Sequence, residues 1–373
     1  MRDAASLLEQ LARPAANMSS EGPSMAGPRE SATELGAPVG SARKVSWFLV
    51  RLAIAGGLLA YLVRSGGIDW RALTRPFTAW PIALAAVALV LIDVSLNALR
   101  LSWLFRPHGL RLAWAKSFQV TMVSFFFAQF LPGATGGDIA RLFYVAKDSK
   151  GLRSEIVTVS LFDRMIGMLS LLVMPLLFAP AFAGVIRATP ALRALLASAA
   201  ILAAILVASF MACLFYQSQT ERLARTVFGF LPWKNWPAQV IRTIASYRHD
   251  LGTVAAALGI SVLANSLLLI VMLLAVYVLN PAGLDLKMCL IIPVGFIANC
   301  LPFTPGGLGV GETAFKSLFA VAGLSGGAEA LLCWRVWTAL VRLLGLVFYL
   351  RGIEHVFGHH APNASHAAPA ARP

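Results

Sequence analysis

Eight apolar runs divide the chain, and their lengths decide what it can fold into. They cover roughly residues 45–64, 78–104, 116–131, 154–182, 191–216, 251–279, 287–303 and 327–352. A bilayer's hydrocarbon core is about 30 Å thick and takes about 20 residues of helix to cross. Six of the runs reach that length, whereas 116–131 and 287–303 do not. With 58% hydrophobic and 13% charged residues, the chain lies far from soluble domains, in which about a quarter of residues are charged. Backbone polar groups at membrane depth must be satisfied within the protein, which selects helices. The expected fold is therefore an all-α polytopic membrane protein.

Each short run leads straight into a Pro-Gly turn. The first is "LPGATGGD", Leu131 to Asp138, and the second is "TPGGLGVGE", Thr304 to Glu312. A second half-length apolar stretch follows each turn, "IARLFYVAK" and "TAFKSLFAVAGL". Two half-length helices around a turn make a hairpin that returns to the side it entered from. Charge placement favours the same reading. With the N-terminus inside, re-entrance puts Arg106, Arg111, Lys116, Lys147, Lys150, Arg153, the basic 217–250 loop and Arg351 in the cytoplasm. A complete crossing would move Lys147, Lys150 and Arg153 outward, against the positive-inside tendency. The sequence thus predicts about six full spans and two re-entrant hairpins.

The termini have a different character. Residues 1–44 and 353–373 are rich in Ala, Ser, Gly and Pro and are expected to be disordered tails on the cytoplasmic side, flanking a transmembrane domain over 45–352. The net charge of +14 comes from Lys and Arg scattered between apolar runs, with no nucleic-acid-binding motif, so anionic lipid headgroups are the expected partner and nucleic acid is not. The loop Glu221 to Asp250 interleaves Arg and Lys with Phe, Leu and Trp, a pattern suited to the membrane surface. Cys213, Cys289, Cys300 and Cys333 fall singly in or beside apolar runs and read as small buried hydrophobes. "PGGLGVGE" lacks the preceding strand and the Lys-Ser/Thr of a nucleotide loop. No metal or other cofactor is called for.

Pro132-Gly133-x-x-Gly136 recurs as Pro305-Gly306-x-x-Gly309, and an arginine-bearing span follows each copy. Three full spans separate the copies, an odd number, so the second should enter from the opposite face. That is the pattern of an inverted repeat, which in transporters places broken helices at a shared midplane site. "FLPGATGGDIARLFYV" with "DRMIGMLSLL" downstream, and "LPFTPGGLGVGETAF" with its late arginine-bearing span, resemble the lysylphosphatidylglycerol synthase transmembrane-region family, also described as flippase-like membrane proteins. The resemblance covers nearly all of 45–352. It implies movement of a phospholipid or another polar-headed lipid between leaflets of the inner membrane. Members that make aminoacylated lipid carry a large soluble transferase domain after the membrane region; this chain is expected to lack that domain and the synthase activity. The alternatives are a membrane-embedded lipid-modifying enzyme and an accessory subunit of an envelope lipid pathway.

Charged residues inside spans are costly unless paired or wet, so they mark the candidate substrate-binding set. Around the first hairpin these are Gly133, Gly136, Gly137, Asp138, Arg141, Asp163 and Arg164; around the second they are Pro305, Gly306, Gly307, Gly309, Glu312 and Arg335. A helix starting at Gly136-Gly137 would aim unpaired N–H groups at an anion such as phosphate. Alternatively Asp138 caps that helix and pairs with Arg141. Asp163 and Arg164 are adjacent, point about 100° apart and cannot simply neutralise each other. Arg141, Arg164 and Arg335 are the expected headgroup contacts, because a guanidinium matches phosphate as a fork. Asp93, Arg100 and Arg342 complete the charged set expected inside the spans.

Overall fold

A computed structural model of the chain describes residues 75–110, 112–130, 135–148, 153–228, 235–300 and 307–351. The tails and the first apolar run, 45–64, lie outside these residues. Within them the regular structure is helical. In chain order the principal helices are α1 (Trp80–Phe105), α2 (Trp114–Phe130), α3 (Thr135–Asp148), α4 (Arg153–Phe178), α5 (Pro190–Phe215), α6 (Gln217–Phe228), α7 (Asn235–Ser246), α8 (Leu251–Leu279), α9 (Met288–Asn299), α10 (Val310–Val321) and α11 (Gly327–Arg351).

Among the described residues, five helices are long and apolar enough to cross a membrane: α1, α4, α5, α8 and α11. At 1.5 Å per residue, the 29 residues of α8 rise about 43 Å. The 12 residues each of α9 and α10 rise only about 18 Å, well short of the hydrocarbon core. Both short apolar runs of the sequence are the leading arms of helical pairs, α2 against α3 and α9 against α10. Ser124 of α2 and Gly137 of α3 face each other in the first pair. The Ser124 hydroxyl donates to the Gly137 carbonyl at 2.7 Å. A Cβ on Gly137 would sit 2.4 Å from the Ser124 carbonyl oxygen, so only glycine lets these arms close.

Two apolar clusters hold the spans together at different levels. One gathers Ala86, Val90 and Val94 of α1, Leu171 and Met174 of α4 and residues 269–276 of α8 with the inner faces of α9, α10 and α11. The other gathers Leu101, Leu104 and Phe105 of α1, Ile156 to Ile166 of α4 and Ala257 of α8 with Tyr247. Between these levels, α1, α4 and α8 each carry a short polar stretch. Asp93, Asn97 and Arg100 lie on α1, Asp163, Arg164 and Ser170 on α4, and Ser261 and Asn265 on α8. The polar band therefore sits at mid-depth in the bundle, between the two apolar clusters.

The loop expected on the membrane surface contains two amphipathic helices, α6 and α7, pinned together by Arg242 and Glu221 with two contacts of 3.2 Å. Tyr247 anchors them to the bundle by donating its hydroxyl to the Leu104 carbonyl at 2.6 Å. Asp250 then starts α8 as its N-cap, accepting from the Thr253 N–H at 3.2 Å and the Thr253 hydroxyl at 2.7 Å. The side chains of Trp233 and Trp236 lie outside the described set.

Candidate functional site

The mid-depth band opens on a cavity of about 300 Å³. Its wall comes from both hairpins and from four spans. Ser124, Phe125, Ala128, Gly137 and Arg141 belong to the first hairpin; Asn299, Cys300 and Gly307 belong to the second. Asn97 and Arg100 come from α1, Asp163, Arg164, Gly167, Met168 and Leu171 from α4, Asn265 from α8 and Arg342 from α11. Described residues of both helical pairs thus border one space.

Asp163 is the electrostatic pivot. Its Oδ1 lies 2.7 Å from Arg100 Nε and its Oδ2 lies 2.9 Å from Arg141 Nη1. All three side chains are buried. Three helices that are remote in sequence are thus tied by one carboxylate: α1, α3 and α4. Ser261 of α8 joins them by accepting from Arg100 Nη1 at 2.6 Å. The Asp138 side chain lies outside the described set. Arg141 Nε has no hydrogen-bond partner among the described residues.

The second hairpin has its own lock, with the charges exchanged. Here the acid is on the hairpin and the base on the following span. Glu312 is completely buried; its Oε1 lies 2.7 Å from Arg335 Nε, and its Oε2 accepts the N–H of Gly309 at 2.7 Å. Gly309 is the N-cap of α10 with φ +81, a conformation that favours glycine. Arg335 Nη2 donates to Asn299 Oδ1 at 2.7 Å and to the Gly307 carbonyl at 2.9 Å. One guanidinium therefore holds the end of α9, the turn and the start of α10. Arg335 and Glu312 do not line the cavity; they brace the wall behind it.

The sequence-derived residues thus separate. Gly137, Arg141, Asp163, Arg164 and Gly307 line the cavity, whereas Gly309, Glu312 and Arg335 build the second turn. Gly136 lies in the first turn of α3, which begins at Thr135 rather than at the Gly136-Gly137 pair. Gly133, Pro305 and Gly306 lie outside the described residues. Several wall residues were not in the sequence-derived set: Asn97, Ser124, Asn265 and Asn299, together with Arg100 and Arg342, which the sequence marked only as charged. A signal existed for part of this group. Asp93, Asn97 and Arg100 recur at helical spacing along one face of α1, and Asn265 stands at the centre of the most apolar span. Nothing in the sequence places Ser124 or Asn299 beside them.

Arg342 lies over aromatic rings on two sides, 6.0 Å from the Phe125 centroid and 5.8 Å from that of Trp334. Rings over the faces of a guanidinium leave its edge as the hydrogen-bonding surface. Among the described residues the wall carries the guanidiniums of Arg100, Arg141, Arg164 and Arg342 and the carboxylate of Asp163. Asp93 is buried beside Arg100 and Arg342. Among the described residues no group of three His, Cys, Asp or Glu side chains is placed to hold a metal ion.

Residues 48–345, most of the chain, match the family model described as "Lysylphosphatidylglycerol synthase TM region". No curated protein and no solved structure matches the chain.

Proposed function

We propose, for a chain that belongs to the lysylphosphatidylglycerol synthase TM-region family, that the mid-depth cavity receives the phosphate-bearing headgroup of an anionic membrane lipid and passes it between the leaflets of the inner membrane. A multi-pass membrane protein of this family has a lipid-related role; the single observation that carries the finer reading is the charge of the cavity wall. Arg100, Arg141, Arg164 and Arg342 gather with Asp163 on one cavity wall, and guanidiniums gathered at a polar cavity suit an oxyanion that reaches in among them. A lipid phosphate does so while its acyl chains stay in the bilayer.

The two hairpins supply the route. In this proposal each is re-entrant, and the three spans between them, α4, α5 and α8, make them enter from opposite faces as an inverted repeat. Each turn then gates the cavity toward one leaflet, and rocking of one hairpin bundle against the other gives alternating access. The energy comes from an ion gradient or from consumption of the lipid on the far side.

The test is reconstitution into vesicles with a headgroup-labelled anionic phospholipid and a membrane-impermeant quencher. Wild-type protein should carry label between leaflets faster than protein-free vesicles, and Arg164→Gln and Arg342→Gln should slow it at least tenfold, the loss of one charge-assisted hydrogen bond or more. Label that stays in its leaflet and emerges with a changed mass would replace transport with lipid modification; label unchanged in both respects would reject the proposal.

A further inference from the structure

Among the described residues three carboxyl side chains are buried, Asp93, Asp163 and Glu312, and they are not held alike. Both oxygens of Asp163 lie against guanidiniums, those of Arg100 and Arg141. Glu312 is held by Arg335 and by the Gly309 N–H. Asp93 enters none of the ion pairs among the described residues. Its Oδ1 accepts from Asn97 Nδ2 at 2.9 Å, one turn along the same helix, and its Oδ2 accepts nothing among the described residues.

The charges around Asp93 come from several elements. Arg100 on α1 and Arg342 on α11 act on it without touching it. From α4 come Asp163 and Arg164, from α8 the neutral Ser261 and Asn265, and from α2 the charge of Lys116, which is partly exposed. Cys300, beside Arg164 and Arg342, completes the titratable groups of the band. Nearby cations reduce the cost of an ionised carboxylate in a low dielectric, but only contact supplies the hydrogen bonds that replace water. A proton removes that cost outright. Sodium would need a shell of oxygen ligands, and the described residues offer no cluster of acids to build one; a proton needs a single oxygen.

Two residues connect Asp93 to the cavity. Asn97 donates to Asp93 and lines the wall, and Arg342 neighbours Asp93 and lines the wall as well. A negative charge entering the cavity therefore comes close to the carboxylate, where like charges disfavour each other. An anion competes with ionised Asp93 and does not compete with protonated Asp93.

Resting on the lipid-phosphate reading above, we infer that Asp93 is a proton-binding site linked to the cavity, taking a proton from water when an anionic headgroup enters and returning it when the headgroup leaves. One O–H bond forms at the carboxyl as the anion arrives and breaks as it departs. One negative and one positive charge thus cross together, and the ion gradient that drives the movement is a proton gradient.

The experiment uses the full-length protein in nanodiscs of neutral lipid, with dihexanoyl phosphatidylglycerol as the probe because its phosphodiester does not titrate near neutral pH. Calorimetric titrations from about pH 5 to about pH 9, in sodium-free buffers of different ionisation heat, count the protons taken up per probe bound. The wild type should take up protons on binding, and its affinity should fall as pH rises, by up to about tenfold per pH unit, the limit for one linked proton. Asp93→Asn is neutral throughout; it should bind without proton uptake or pH dependence, no more weakly than the wild type at low pH. Asp93→Glu keeps a carboxyl in an altered position and should retain uptake with a displaced pH midpoint. Asp285→Asn, which breaks the partly exposed pair with Lys287, should leave uptake unchanged, and thermal scans report folding. Binding by the wild type without proton uptake, undiminished uptake in folded Asp93→Asn, or sodium strengthening binding in place of protons overturns the inference and leaves the anion site standing. An unmoved midpoint in Asp93→Glu overturns it too, even where the Asn variant does not fold. Failure of the probe to bind at any pH overturns the lipid-phosphate reading, and the coupling falls with it.

Discussion

Replacing Asp163 by Asn isolates the central electrostatic claim, because the two residues have nearly the same shape and differ in charge. In the wild type the one carboxylate bridges two buried guanidiniums, Arg100 at 2.7 Å and Arg141 at 2.9 Å. Asn can still accept one hydrogen bond, but it removes the negative charge that both cations share. Removing one partner of a buried pair costs about 3–5 kcal/mol, and a similar loss is expected for the empty protein. The same change makes the cavity wall more positive, so an anionic headgroup should now stabilise the variant more than it stabilises the wild type. A ligand at about a hundred times its dissociation constant adds about 2.7 kcal/mol, enough to offset most of the loss. The assay is unfolding of Asp163→Asn and wild type in nanodiscs of neutral lipid and of lipid containing phosphatidylglycerol. Asp285→Asn is the control, since it breaks only the partly exposed pair with Lys287 at 3.0 Å, worth at most about 1 kcal/mol. If Asp163→Asn loses no more than that control, the carboxylate is not the pivot of the bundle. If its loss is the same in neutral and anionic discs, the guanidiniums that lose Asp163 do not face a site that an anion can reach.

Arg335→Lys should loosen the second hairpin, because an ammonium cannot serve Glu312, Asn299 and Gly307 together; amide exchange over 307–312 should accelerate at least tenfold, and unchanged protection would remove Arg335 from its bracing role. Gly137→Val should separate α2 from α3, since even a Cβ there lies 2.4 Å from the Ser124 carbonyl oxygen, with an expected loss of about 1–3 kcal/mol or more from overpacking, read by thermal unfolding. Asp250→Ala removes the cap of α8 and should cost about 1 kcal/mol without altering lipid binding, as a denaturation series with a binding assay would show. Single cysteines at Lys150 and Arg222 should label from the cytoplasm and one at Arg187 from outside; labelling of Lys150 and Arg187 from the same side would contradict the re-entrant first hairpin.

The amino-acid sequence alone determined that this is a helical membrane protein, which family it belongs to, and where the short helical pairs lie. These properties follow from chain-local quantities: the length of an apolar run against the thickness of a bilayer, and the turn chemistry of Pro and Gly at 132–137 and 305–309. Local quantities also made Asp163 conspicuous, because an ionised side chain inside an apolar run needs a partner somewhere. They could not name the partner. Arg141 reaches Asp163 on α4, 22 residues away, and Arg335, an expected headgroup contact, braces the start of α10 through Glu312. Asn97, Asn265 and Asn299 are 168 and 34 residues apart in succession, and no periodicity in one span reports which face another span turns toward it. That decision belongs to the tertiary structure for a physical reason. Packing of two apolar clusters fixes the rotation of α1, α4 and α8 about their own axes, and only after that rotation is fixed do their polar faces meet at one depth and enclose a common space.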